Sequence, residues 1–207
     1  MIKVWGRLTS SNVQKVMWCI DELKVPHERI DIGGPFGGNK EAKYLAMNPN
    51  GLVPTIEEDD GWLLWESNSC VRYLAAKHGA GTLWPTDLRQ RADAERWMDW
   101  QLTTLAGPST AIFWGLVRTK PEDRDMKAIE AGATKLNELW TVVDKVLAKR
   151  TFVAGDQLTI GDIPMGIAAY RWFTLPVKRD RHPNFEAWYA RLTERPAFKK
   201  NIMNPLV

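Results

Sequence analysis

No run of about 18 or more apolar residues occurs in this 207-residue chain, so no membrane-spanning helix and no membrane partner are expected. Cysteine is scarce. Cys19 and Cys70 are the only two, far apart and in neither a CxxC nor a metal spacing. That argues against a disulfide framework and points to free thiols in a reducing compartment, so a cytoplasmic location is expected. The three histidines, His27, His78 and His182, are scattered, and no metal site is expected. Charge of one sign never accumulates. The net charge is only +3, and Lys178-Arg179-Asp180-Arg181 is a short, interrupted cluster that reads as a solvated loop, so no nucleic-acid partner is expected. Internal repeats and low-complexity tracts are absent. The N-terminus lacks a signal-peptide layout and starts directly on a strand-like alternation.

What is present is ordinary globular material for one or two domains: 44% hydrophobic residues and 26% charged. Tryptophan is the exception, at eleven residues. Such rings fill cores and interfaces, and some are expected to line an apolar pocket.

The chain changes character near residue 80. Before it, strand-like and helical runs alternate. Ile2 to Trp5 and His27 to Ile32 read as strands. Between them, Val13, Val16, Met17, Ile20 and Leu23 recur at the three-and-four spacing of a helix face. Thr55 to Glu57 and Trp62 to Trp65 read as a hairpin turning at Asp60-Gly61, and Ser69 to Lys77 as a helix. The expectation is a small α/β domain over 1–78 and a linker over 79–88, where Gly79, Gly81 and Pro85 collect. An all-helical domain over 89–207 follows. Its helices are expected over Arg89 to Trp114 (kinked or broken at Gly107-Pro108), from Pro121 to Leu147, over Ile160 to Phe173, over Asn184 to Thr193, and briefly after Pro196.

Asn48-Pro49-Asn50-Gly51-Leu52-Val53-Pro54-Thr55-Ile56, followed by Glu66-Ser67, carries the most chemistry. Pro54 cannot donate a hydrogen bond and holds Val53 extended. An extended backbone with unpaired N–H and C=O groups can pair with a peptide-like ligand as an added strand would. Glu66-Ser67 opens a helix, whose free N–H groups suit a carboxylate. Thr9-Ser10-Ser11-Asn12 lies between the first strand and first helix, where such residues either cap the helix or offer a hydroxyl to an anion. No aspartate lies in this stretch and no histidine near it, so a Ser-His-Asp nucleophile is unsupported. Gly33 to Lys40 is glycine-rich but lacks the phosphate-loop order, and reads as a mobile loop from which Lys40 can reach a ligand carboxylate. Thr159-Ile160-Gly161-Asp162 fits a capping box in which Asp replaces Glu, a folding element.

Taken together, TSSNVQKV after the first strand, NPNGLVPTI, ESNSCVRYLA and FVAGDQLTIGDIP resemble the soluble glutathione S-transferases over the full length, in the family's order and approximate spacing. The resemblance is to serine-type, theta/phi-like bacterial members. It implies a thioredoxin-like α/β N-terminal domain, an all-α C-terminal domain, and glutathione as co-substrate with no further cofactor. It implies a cis peptide before Pro54, Val53 pairing with the cysteinyl unit, Glu66 and Ser67 at the γ-glutamyl end, and Lys40 with Asn39 near the glycine carboxylate.

The family divides by its sulfur-activating residue. No tyrosine stands near Trp5, and Cys19 lies well inside the helix. The serine-type pattern places a serine six residues before a helix valine, which from Val16 gives Ser10. Some relatives also use an asparagine two residues on, here Asn12, and Thr9 and Ser11 are near enough to share the assignment. Leu52 departs from members that carry a polar residue there. The implied activity is conjugation of glutathione to a small apolar electrophile held by Phe113, Trp114, Arg118 and Trp172, in a homodimer built on the helix after Glu66 and the first helix of the second domain. The alternative is a ligand carrier or protein-interaction module of the same fold.

Overall fold

A computed structural model describes all residues, 1–207. Its N-terminal part carries strands β1 (Ile2–Trp5), β2 (His27–Ile30), β3 (Thr55–Glu57) and β4 (Leu63–Trp65). The strand order is β2-β1-β3-β4, with β1 parallel to β2 and the other pairs antiparallel. Val4 sits in register with Arg29 on one side and Ile56 on the other. Alternation along β1 buries Ile2 and Val4. Helices α1 (Ser11–Glu22) and α3 (Ser67–His78) pack on the sheet, α1 burying Val13, Val16, Met17 and Ile20 as the spacing predicts. A short helix α2 (Ala42–Met47), which the sequence did not signal, precedes the Asn48 turn. Six residues make less than two turns, too few for a periodic face, and only Tyr44 is buried.

After His78 an irregular stretch leads to α4 (Leu88–Trp100), α5 (Ala106–Phe113), α6 (Met126–Leu147), α7 (Asp162–Thr174), α8 (Pro183–Thr193) and α9 (Pro196–Asn201). The expected interruption at Gly107-Pro108 is resolved differently. The backbone stays helical from Leu88 to Arg118, with wider π-type turns at Gln101–Leu105 and Trp114–Arg118. A proline inside a helix lacks its N–H and crowds the carbonyl one turn back, and a widened turn just before it relieves that crowding. Gly132 lets α6 approach this segment closely, because a Cβ there would lie 3.2 Å from the Pro108 carbonyl oxygen. Pro121 opens only a 3₁₀ turn. The next helix starts at Met126, capped by Asp125, which accepts from the Ala128 N–H at 3.0 Å.

One continuous core joins the two parts. Trp18 of α1 packs edge-on against Phe198, with ring centroids 4.9 Å apart. Arg195 grips the Glu22 carboxylate with bonds of 2.7 and 2.6 Å. The Thr159–Asp162 box forms as expected and reaches further. Asp162 is fully buried and accepts from the N–H groups of Thr159 (2.9 Å) and Val153 (3.1 Å) and from Trp188 Nε1 (2.9 Å).

Candidate functional site

Three backbone junctions meet at one end of the sheet, where β1 and β4 finish and β3 begins. At the first, Ser10 precedes α1 with an extended backbone (φ −83°, ψ 122°). Its carbonyl accepts the Gln14 N–H at 2.9 Å, yet its hydroxyl makes no capping bond. Serine in this position normally caps with its side chain. Here the hydroxyl is left for the adjoining cleft.

The second junction is the Asn48 turn. Leu52 O accepts from Tyr44 Oη (2.7 Å) and Asn48 Nδ2 (2.9 Å), Gly51 O from Asn39 Nδ2 (2.7 Å), and Asn50 O from Lys40 Nζ (3.2 Å). These bonds fix the three carbonyls that precede Val53, those of Asn50, Gly51 and Leu52. The Val53–Pro54 peptide is cis, and the Val53 N–H and C=O make no backbone bond. Unpaired main-chain groups beside an ordered edge are the requirement for accepting a peptide-like strand.

At the third junction, Glu66 holds φ +70° immediately before α3. That left-handed region is uncommon for a side chain with a Cβ and recurs at binding sites. The first N–H groups of α3 have no side-chain cap. Ser67 donates its hydroxyl to Asn12 Oδ1 at 3.2 Å, which brings the first turns of α1 and α3 side by side.

Between these junctions and the helical part lies a cleft of about 390 Å³. Thr9, Ser10, Ser11, Asn12, Leu52 and Val53 form its sheet side. Arg7 reaches in from the end of β1, passing over Gly34, where a Cβ would lie 2.7 Å from Arg7 Nε. Thr110, Phe113, Trp114, Arg118 and Arg171 form the opposite wall. The Arg171 guanidinium stacks 4.0 Å from the Phe113 ring centroid, and that of Arg118 lies 5.7 Å from it. Burial and the neighbouring Arg118 charge pull Arg171 down to about 10 and also lower Arg7. A smaller cavity of about 180 Å³ shares Ser11, Asn12, Thr110 and Arg171 and adds Lys15. Lys15 is buried, and burial followed by the Arg171 charge pulls it down to about 8 against an opposing pull from Glu66. No aspartate or glutamate lines either cavity. A separate cavity of about 410 Å³, bounded by Leu116, Met126 and Val177, lies within the helical part and shares none of these residues.

Of the residues singled out in the sequence, Ser10, Ser11, Asn12, Val53, Phe113, Trp114 and Arg118 meet in the cleft. Ser67 joins them through Asn12, Glu66 is exposed at the entry to α3, and Pro54 is buried behind Val53. Asn39 and Lys40 stand outside the cleft lining, bracing the Asn48 turn. Trp172 is a correction. It is 3% exposed in the core, because successive helical residues are turned about 100° from one another. That rotation puts its neighbour Arg171 in the cleft instead. Arg171, Arg7, Lys15 and Thr110 were missed. The only signal for the arginines was their place beside chosen residues, two before Thr9 and one before Trp172. Cys19 and Cys70 are buried, and burial pushes both thiols up, Cys70 to about 12, so neither supplies a thiolate.

Two family models match the chain: the glutathione S-transferase N-terminal domain over residues 9–77 and the glutathione S-transferase C-terminal domain over residues 108–196. The chain is 45% identical to glutathione S-transferase GstB of Escherichia coli K12 over the whole of both chains. It is 28% identical to glutathione S-transferase 1 of Manduca sexta, covering 92% of this chain and 87% of that one. Among solved structures it is similar to the theta class glutathione S-transferase of Xanthomonas axonopodis pv. citri with glutathione bound. That similarity has 44% identity and a TM-score of 0.95, covering 100% of this chain and 99% of the other.

Proposed function

The chain belongs to the glutathione S-transferase family and is a glutathione transferase, and from that premise we propose how its residues hold the tripeptide and activate its sulfur. Val53 pairs its free N–H and C=O with the cysteinyl unit as an added strand. Ser67 and the open N-terminus of α3 hold the γ-glutamyl carboxylate, with Glu66 at its amino group. Lys40, beside Asn39, reaches the glycine carboxylate with the ammonium donors that Asn50 O leaves free.

Only the thiolate attacks, and a free thiol with a pKa of about 8.5 is only a few per cent ionised at pH 7. Lowering that pKa by roughly two units takes about 2.7 kcal/mol of preferential anion stabilisation. One hydrogen bond from Ser10 to the sulfur, assisted by the positive end of α1, has that size. The observation that carries this reading is the Ser10 hydroxyl itself, uncommitted to the helix and lining the cleft beside Val53. Asn12 orients Ser67, and Ser11 supplies an N–H at the helix start. Phe113, Trp114 and Arg118 bound the space for the electrophile, and the thiolate displaces a leaving group from, or adds to, its electrophilic carbon. Replacing Ser10, Ser11 and Asn12 singly by alanine tests the assignment. Ser10→Ala is expected to lower kcat with glutathione KM little changed, Asn12→Ala to raise the glutathione KM, and Ser11→Ala to do little. A larger kcat loss in Ser11→Ala than in Ser10→Ala would move the role to Ser11.

The domain division proposed is 1–78 for glutathione, 79–88 as linker and 89–207 for the electrophile. A cytoplasmic homodimer formed through α3 and α4 completes the reading. Its support is the buried, unreactive state of both cysteines and the exposure of Trp62, Trp65 and Leu102 near those helices. No helix is long and apolar enough to cross a membrane. Light scattering at micromolar concentration reads the dimer directly, and a monomer mass would remove it.

A further inference from the structure

The arginines of this chain are otherwise well employed. Arg29, Arg72, Arg96, Arg150, Arg181 and Arg195 pair with carboxylates. Arg91, Arg124, Arg179 and Arg191 bond to backbone carbonyls. Arg7, Arg89, Arg118 and Arg171 make neither kind of bond. Arg89 is an exposed residue at the start of α4. The other three line the single cleft beside Ser10. Arg171 Nε is buried without an acceptor, and Lys15 adds a buried ammonium, 4% exposed, in the adjoining cavity. Like charges gathered in one partly dry space with no carboxylate on its lining, and only Glu66 acting on Lys15 from outside it, repel one another, and a fold tolerates this where a ligand supplies the anion.

Glutathione does not supply it at the outer wall. In the reading above, on which this inference rests, its two carboxylates go to the α3 N-terminus and to Lys40. Arg118 and Arg171 belong to the helical part and flank the Phe113 ring, the side that receives the second substrate. We propose that the second substrate is an acidic electrophile, an apolar body carrying a carboxylate or similar anion that Arg118 and Arg171 bind while its ring or chain lies against Phe113 and Trp114. Guanidinium groups present forked donors that match a carboxylate, and aromatic faces between them suit an apolar stem. With a 4-(bromomethyl)benzoate, the glutathione thiolate forms the S–C bond at the benzylic carbon as the C–Br bond breaks. Bromide leaves with the electron pair, and the thiol proton has already passed to solvent.

The test compares two conjugates that differ only in this charge, S-(4-carboxybenzyl)glutathione and S-(4-carbamoylbenzyl)glutathione, by calorimetry alongside glutathione itself. Both are thioethers, so thiolate stabilisation does not enter. The wild-type protein is expected to bind the carboxylate conjugate about tenfold more tightly, the scale of one charge-assisted contact. The preference is expected to fall to about twofold or less in Arg118→Gln, to shrink with added salt, and to persist in Arg89→Gln. Arg171→Gln is expected to lose it as well, and because Arg118 is exposed, its variant keeps the test independent of folding. Equal affinity of the wild type for both conjugates, or a preference untouched by Arg118→Gln and Arg171→Gln, overturns the proposal while glutathione binding leaves the transferase reading standing. Failure to bind glutathione and both conjugates overturns the two together.

Discussion

The Ser67 hydroxyl and Asn12 Oδ1 meet at 3.2 Å, and this one bond joins the helix start that is proposed to face the sulfur to the helix start that is proposed to hold the γ-glutamyl end. Neither side chain caps its own helix. On the proposed reading, this bond couples the two ends of the glutathione site.

A double-mutant cycle measures that coupling. Asn12→Ala and Ser67→Ala are each expected to weaken glutathione binding about three- to tenfold, from the loss of about 1 kcal/mol for one hydrogen bond. The double variant is expected to be little worse than the weaker single one, giving an interaction energy of about 0.5–1 kcal/mol. Strictly additive losses in calorimetry would show that the bond does not join the two ends.

Lys15 separates stability from function. Its folded pKa, pulled down to about 8 chiefly by burial, lies below the roughly 10.4 of an unfolded lysine. The unfolded chain therefore binds more protons between those values, and stability rises as pH climbs from about 8 to about 10.4. Below pH 8 the buried charge is a standing penalty of up to about 3 kcal/mol. Lys15→Met, similar in length, is expected to raise the urea midpoint at pH 7 and to flatten the stability profile between pH 8 and 10. A lower midpoint at pH 7 would mean that the ammonium has a partner that stabilises the fold.

Asp162 is expected to matter for folding alone. Asp162→Ala leaves the N–H groups of Thr159 and Val153 and Trp188 Nε1 without their acceptor in the core. A loss of about 3 kcal/mol or more follows from stranding several buried donors. Denaturation should show that loss, while the protein that remains folded binds glutathione with wild-type affinity. A weakened affinity in the folded fraction would tie this box to the site.

The sequence carried the layers of the fold, the turn at Asn48 and the serine loop, because each has a local cause. Val13 to Leu23 show a helix face, Asp60-Gly61 a hairpin turn, and Pro54 an extended residue before it. What it hid depends on packing between distant segments. Gly107-Pro108 reads as a break, but widened turns absorb it. Trp172 outranked Arg171 as a pocket residue because the resemblance pointed to aromatic residues on the long helices, without saying which of two adjacent helical residues faces the cleft. Arg7 enters the cleft over glycines at 33 and 34, and only the folded chain brings that loop and β1 together.

The central claim is that the Ser10 hydroxyl, free of its helix, lowers the pKa of bound glutathione. Ultraviolet titration of the glutathione thiolate bound to wild type and to Ser10→Ala tests it most directly, with glutathione affinity measured in the same samples. The account predicts a bound thiol roughly two units below the free value of about 8.5 in the wild type. In Ser10→Ala it predicts return to near the free value, with affinity changed by less than about threefold. An unchanged thiolate titration in Ser10→Ala would contradict it.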